Sequence, residues 1–361
     1  MNPLHSVIWL GLACALGCSP DAPDNKGLLI IDDAPAMALP DVEECPEPMA
    51  VECEECPTCE VTEDDVTECE EPTGDEAREA LNINLYREDD NLYAWRKTRA
   101  SLDPEEDVVF YWSGFVYNVT SKDSADYQDR SAIDFASPLF RFEGFNVARF
   151  AQDGPSTYTM LSREVSVYKN PFTGSIIDCW TNTLREDQPD VRVMHVANDP
   201  VNYGVGQVDF VELGDRISFF SDILLSYRSP LAGADEYSPF SASDVYQSNE
   251  LFNFIVSRDD LENESVLSAP VEISWTRMGQ YLPWMQMGDR PGHLVYHVRG
   301  YKVLGGVSAL PTQLLNWTRT QAGEQFLTSP DFIPQSYQPN ATSWRVFRDA
   351  LDSGEYTSAC Q

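Results

Sequence analysis

The chain has 361 residues, 42% of them hydrophobic and 11% aromatic, and a formal net charge of −35. Such a composition supplies a substantial core, while the acidity excludes nucleic acid as a partner, because phosphate contacts need clustered Lys and Arg. It equally excludes charge-driven binding to anionic lipid.

The first predicted element is a leader. Val7 to Leu16 is an uncharged, apolar stretch. It is about half the roughly 20 residues that a bilayer-spanning helix needs, so a cleaved signal peptide is expected over residues 1–17. The stretch ends in Ala15-Leu16-Gly17-Cys18, which resembles a bacterial lipobox, in which a cysteine is lipidated and becomes the first residue. Two features depart from that pattern: Ala15 stands where Leu is usual, and His5 replaces the usual Lys or Arg. Gly11-Leu12-Ala13-Cys14 is a second candidate, and an ordinary secretory signal is the alternative to both. Lipidation at Cys18 makes the membrane a partner through the anchor. Ser19 lacks the Asp that often retains lipoproteins at the inner membrane. The expected address is therefore extracytoplasmic, at the outer membrane of a Gram-negative cell.

Residues 18–74 are expected to form an acidic, disordered stalk. Asp41 to Glu71 carries fourteen acidic residues and no basic one. A Pro-, Glu- and Cys-rich segment of one charge sign cannot bury enough apolar surface to offset its ordering entropy, and self-repulsion extends it. Cys53-Glu54-Glu55-Cys56-Pro57-Thr58-Cys59 has a metal-like spacing. The fourth thiolate of an iron–sulfur run is missing and acidic neighbours raise thiol pKa values, so local disulfides are expected and no metal or cofactor. An exported chain meets conditions in which disulfides persist, but spacing does not give their connectivity.

A single β-rich domain is expected from residue 75 to 361. Leu81 and Leu85 at i,i+4 spacing predict a short helix over Asp75–Arg87, and a second is predicted over Asn91–Leu102, ended by Asp103-Pro104. Period two then takes over in nine segments: Val108–Val119, Leu139–Phe150, Tyr158–Tyr168, Ser175–Thr181, Val191–Ala197, Arg216–Arg228, Val245–Val256, Pro270–Tyr281 and Gly292–Val303. β-Branched and aromatic residues fill them, and turns such as Asp289-Arg290-Pro291-Gly292 separate them. Nine short-linked strands argue for an antiparallel β-barrel, lipocalin-like in general shape, with short flanking helices, since an open sheet leaves two edges to hide. The tail is expected to wrap the body, with a helix at Ser343–Leu351.

Three blocks place polar residues inside apolar strands. They are Ser162-Arg163-Glu164-Val165 leading to Asn170-Pro171-Phe172-Thr173-Gly174, then His195-Val196-Ala197-Asn198-Asp199-Pro200-Val201-Asn202, then Leu282-Pro283-Trp284-Met285-Gln286-Met287-Gly288-Asp289-Arg290-Pro291-Gly292. With Phe142-Glu143-Gly144-Phe145-Asn146 and Asn340-Ala341-Thr342-Ser343-Trp344, they resemble an uncharacterised family of bacterial exported proteins known as a domain of unknown function. The likeness spans roughly residues 85–350 and omits the stalk. It implies no established activity and no catalytic residue.

Alternation puts Arg163 with Val165 and Val167, Glu164 opposite with Ser162, Ser166 and Tyr168, His195 with Val191 and Val193, and Arg277 with Ile273 and Trp275. If those apolar faces point inward, Arg163, His195 and Arg277 approach the interior. There they meet carboxylates (Asp178, Asp199 and Asp289 are candidates) or form a pocket for an anionic ligand. Strand ends beside water are the alternative. Trp284 and its neighbours read either as an apolar lip for a ligand or as a plug. His195 with Asp199 or Asp178 would make half of a hydrolytic pair, while Asn198-Asp199-Pro200 alone reads as a turn. His293 and His297 sit four apart on a strand, about 13 Å, too far for one metal ion.

The first functional expectation is a lipid-anchored envelope protein whose barrel binds a small, apolar, potentially anionic molecule through Arg163, His195, Arg277 and Trp284. The second is a hydrolase or isomerase using His195 with a carboxylate. The third is a structural or interaction protein of the envelope. Barrels host all three roles, so fold alone does not choose.

Overall fold

A computed structural model describes residues 81–119, 137–152, 154, 157–201, 203–241, 243–331 and 343–360. The expected signal peptide and stalk and Cys18 lie outside the described residues, as does Asn340. The protein is mainly antiparallel β sheet with a few helices.

Residues 81–87 are not helical. Leu81, Ile83 and Leu85 are buried or half-buried in alternation with exposed neighbours, so the apparent i,i+4 pattern is the even half of period two. Asn84 turns the chain by donating its backbone N–H to Asp90 Oδ2 and accepting the Tyr86 N–H. Helix α1 (Glu88–Arg99) then runs three residues ahead of its predicted bounds. Glu88, Asp89 and Asp90 sit in its first turn and Arg96, Lys97 and Arg99 in its last, each matching the local end of the helix dipole.

Long strands follow where the sequence put them: β1 (Val108–Val119), β2 (Phe140–Gln152) and β3 (Tyr158–Lys169). The predicted Ser175–Thr181 strand shrinks to β4 (Cys179–Thr181), and Val191–Ala197 splits into β5 (Asp190–Arg192) and β6 (Val196–Asn198). Two short strands with no sequence signal come next, β7 (Tyr203–Val205) and β8 (Asp209–Leu213). The last four are β9 (Arg216–Arg228), β10 (Val245–Ser257), β11 (Val271–Gly279) and β12 (His293–Val303). Three more helices complete the fold: α2 (Arg258–Glu262), α3 (Thr312–Trp317) and α4 (Ser343–Asp352).

Ten strands form one antiparallel sheet in the order β6-β3-β2-β1-β12-β11-β10-β9-β8, with β7 also pairing β3. Strands β4 and β5 pair separately. Among the described residues no ladder joins β8 to β6 or β7, so the hydrogen-bonded sheet is open where a closed barrel was expected.

Both faces of the β3-β2-β1-β12 region are covered. On one, Val109, Phe145, Val147, Val165 and Val167 pack under Leu314 and Leu315 of α3 and under Phe326. The opposite face carries the larger, aromatic core. There α1 sets Trp95 edge-on against Phe254 at 5.1 Å, and Trp284 packs with Phe140, Tyr168 and Trp180. Trp344 of α4 meets Tyr246 at 4.8 Å. A disulfide between Cys179 and Cys360, 181 residues apart, ties the C-terminus to β4. Loop-closure entropy at that separation contributes on the order of 5 kcal/mol.

Candidate functional site

A cavity of about 120 Å³ opens on the aromatic face. Its walls include Trp112, Phe252, Phe254 and Trp275, with Glu164 and Glu250 between them. Met160 of β3 and Tyr203 of β7 come from one end of the strand order, and Ser221 and Ile223 of β9 from the other. The size suits one six-membered ring, since an engineered apolar cavity of roughly 150 Å³ holds benzene.

Sheet register explains how side chains meet here. Asn198, Glu164, Asn146 and Phe110 face one another across β6, β3, β2 and β1. Arg99 closes this row from the last turn of α1, donating to Asn146 Oδ1 at 2.8 Å and lying over Phe110. Two residues along, Ser166, Gly144, Trp112 and Gly300 form the next row. Glycine is needed on both sides of Trp112. A Cβ at position 300 would sit 2.4 Å from Tyr111 O, and one at 144 would sit 2.3 Å from Ser166 Oγ and 2.7 Å from Trp112 Nε1. Those two atoms therefore lie within about 5 Å of each other, the sum of the two distances.

Glu164 is the distinctive group of the wall. Its nearest polar partner is Asn198 Nδ2 at 3.4 Å, and among the described residues no Lys, Arg or His lies within ion-pair distance. Burial, reinforced by the charge of Glu250, pushes its carboxyl up to about 7; Asn198, Arg277 and Arg99 offset part of that rise. Two other carboxylates on the sheet are matched by cations. Glu143 is held by Lys169 and accepts the Tyr111 hydroxyl at 2.6 Å. Glu250 pairs with Arg277 at 3.3 Å.

Arg277 anchors a phenol cluster. It donates to Tyr246 Oη at 3.2 Å and lies over the Tyr296 ring, whose hydroxyl is 3.0 Å from that of Tyr168. Burial opposes its charge, but Tyr246, Tyr296 and Glu250 outweigh that and hold the guanidinium pKa above its ordinary value. Burial raises the Tyr168 and Tyr296 hydroxyls. Three cavity-lining side chains carry buried polar atoms with no hydrogen-bond partner: Trp112 Nε1, Trp275 Nε1 and Arg99 Nη1. Native interiors satisfy nearly all such atoms, so a cluster of them marks a surface shaped for something else.

The residues singled out by sequence are brought together only in pairs: His195 and Trp284 line a second pocket of about 10 Å³, and Arg163 meets Asp199. Arg163 lies on the α3 side of the sheet, bonded to Asp199 at 2.7 Å and to the carbonyls of Gln325 and Thr328. Asp199 precedes a cis proline, Pro200. His195 packs between Tyr168 and Trp317, with Nδ1 accepting the Tyr168 backbone N–H at 3.1 Å. Burial lowers its pKa to about 4, so it is neutral at pH 7. Asp178 Oδ1 stands 4.0 Å away on an exposed side chain, beyond hydrogen-bond reach. Trp284 is buried with Met285 and Met287 in the aromatic core. Only Arg277 adjoins the cavity, through Glu250. Asp289 lies in the turn before β12. The two His of β12 are on a strand, the spacing that keeps them apart. Among the described residues no group of three or more His, Cys, Asp or Glu is placed to hold a metal ion, and no helix is long and apolar enough to cross a membrane.

The fold and cavity define a mainly antiparallel β protein with an aromatic-walled, mixed-polarity hollow in its sheet. Residues 105–351 match the family described as Protein of unknown function (DUF1838), and the chain belongs to it. No curated protein and no solved structure matches it.

Proposed function

We propose that this is a lipid-anchored, cell-envelope protein whose sheet rolls toward a barrel and binds one small, largely apolar molecule in the cavity. The observation that carries the reading is an aromatic-walled hollow that also holds unpartnered donors and an unpaired carboxyl. Ligand sites combine apolar walls with a few convergent polar groups in this way. Rolling is supported by the reach of the cavity across the sheet. Glu164 on β3 and Glu250 on β10 are five strands apart in order yet line one cavity, where the charge of Glu250 reaches Glu164. Arg277 is matched by Glu250, Arg99 is tied to Asn146, and two carboxyls line the wall, so a neutral ligand suits the hollow better than an anion.

Native mass spectrometry of the purified protein tests this. A co-purified adduct is expected on wild type and should be lost in Ser221→Trp, which fills the hollow from β9. An adduct unaffected by that substitution, or none in either protein, would sink the reading. The anchor is tested separately by feeding a labelled lipid precursor. Label should vanish in Cys18→Ala and persist in Cys14→Ala, and label in Cys18→Ala would remove the lipid anchor from the proposal.

A further inference from the structure

We propose that the cavity is a proton-transfer site. Glu164 takes a proton from carbon beside the carbonyl of a ring-sized ligand and returns it, while the indole N–H of Trp112 holds the carbonyl oxygen. This rests on the reading that the cavity binds a small apolar molecule.

Three observations converge. First, the same sheet pairs Glu143 with Lys169 and Glu250 with Arg277 but leaves Glu164 with one long contact to Asn198. A half-buried carboxyl with no cation beside it gains little for the fold in its charged form, because an unmatched charge drawn out of water is costly. Second, Trp112 lines the same cavity, and its Nε1 is a donor without a hydrogen-bond partner. Gly144 leaves the space beside that nitrogen free of side chain. Third, Trp112 pairs with Gly144, two residues along the same face of β2 from the Asn146 that pairs with Glu164, so base and donor stand in rows about 7 Å apart. That spacing fits a ring with its oxygen at one side and its acidic carbon at the other.

The step balances without a co-reactant. The C–H bond breaks and its proton goes to the Glu164 carboxylate. The bonding pair becomes a carbon–carbon double bond, and the carbonyl π pair moves onto oxygen, where the indole N–H stabilises it. The Glu164 acid trades its proton with solvent, and collapse of the enolate takes a solvent-derived proton back at the same carbon, giving exchange; in an unsaturated ligand, return at a conjugated carbon gives isomerisation. A carboxyl that titrates near neutral pH suits both halves of the cycle.

Cyclohexanone in D2O is the probe, with α-hydrogen exchange followed by proton NMR and binding by saturation transfer on the same sample. Wild type should accelerate exchange, with the rate rising as pH passes about 7. Glu164→Gln should bind the ketone and lose at least about 100-fold in rate, the usual contribution of a general base. Trp112→Phe keeps the ring, removes the N–H and should lose about 100-fold, as for one oxyanion donor. It carries the test alone if Glu164→Gln does not fold. Binding without acceleration in wild type, or full rate in either variant, overturns the proposal and leaves the binding reading standing. No saturation transfer in wild type overturns both.

Discussion

Glu164→Gln should match wild type in stability near pH 4 and exceed it by about 3 kcal/mol at pH 8. The folded carboxyl titrates near 7 and an ordinary Glu at 4.5. Between those values the folded state binds more protons, so stability falls as pH rises. A gap of about 2.5 units corresponds to about 3 kcal/mol, and Gln, uncharged throughout, escapes the loss. His195 works in the opposite direction. Its folded pKa of about 4 lies below the ordinary 6.5, so the unfolded state binds more protons and stability falls as pH drops through the interval. The two slopes largely cancel between pH 4.5 and 6.5. Urea denaturation across pH 4–8 would show this as a nearly flat difference in wild type that tilts one way in Glu164→Gln and the other in His195→Asn. Parallel curves for Glu164→Gln and wild type would mean that Glu164 is an ordinary solvated carboxyl. A gain in stability on removing an ionisable group is what a site held for function rather than for folding should give.

Much of the framework was legible because its cues are local. Val108–Val119, Arg216–Arg228 and Val245–Val256 combine β-branched and aromatic residues between clear turns, and each is found as a strand within a residue of those bounds. The three- to five-residue strands β7 and β8 have too few positions to show a period. Closure was not legible either, since it depends on how far the sheet rolls and on pairing between its ends.

The site was harder to read, for a different physical reason. Alternation separates the two faces of a strand but names neither when both are buried, and β3 is covered on both. Grouping Arg163 with Val165 and Val167 was sound as geometry. Those valines pack against α3, while Glu164 on the other face meets the cavity. The signal that could have found Trp112 was its pairing with Gly144 and Gly300, two strand glycines with no turn to explain them. Strand pairings were needed before that signal could be seen.

Arg277→Met should lower stability by about 3 kcal/mol, toward the mild end for breaking a buried ion pair because Glu250 keeps some contact with water. Thermal unfolding would register this as a drop of roughly 6–12 °C for a domain of this size. Arg277→Met with Glu250→Gln should recover much of the loss, since the damage lies in the stranded carboxylate and not in the missing guanidinium. A single variant as stable as wild type would show that the phenols, and not the ion pair, order this end of the hollow. The pair also sets the titration of Glu164. Glu250 raises that carboxyl more than Arg277 lowers it. Arg277→Met alone should therefore move the exchange profile to higher pH, and the double variant should move it back below the wild-type position. Stability and proton affinity would then respond to the same two residues with separable signs, which a purely structural ion pair remote from the cavity would not do.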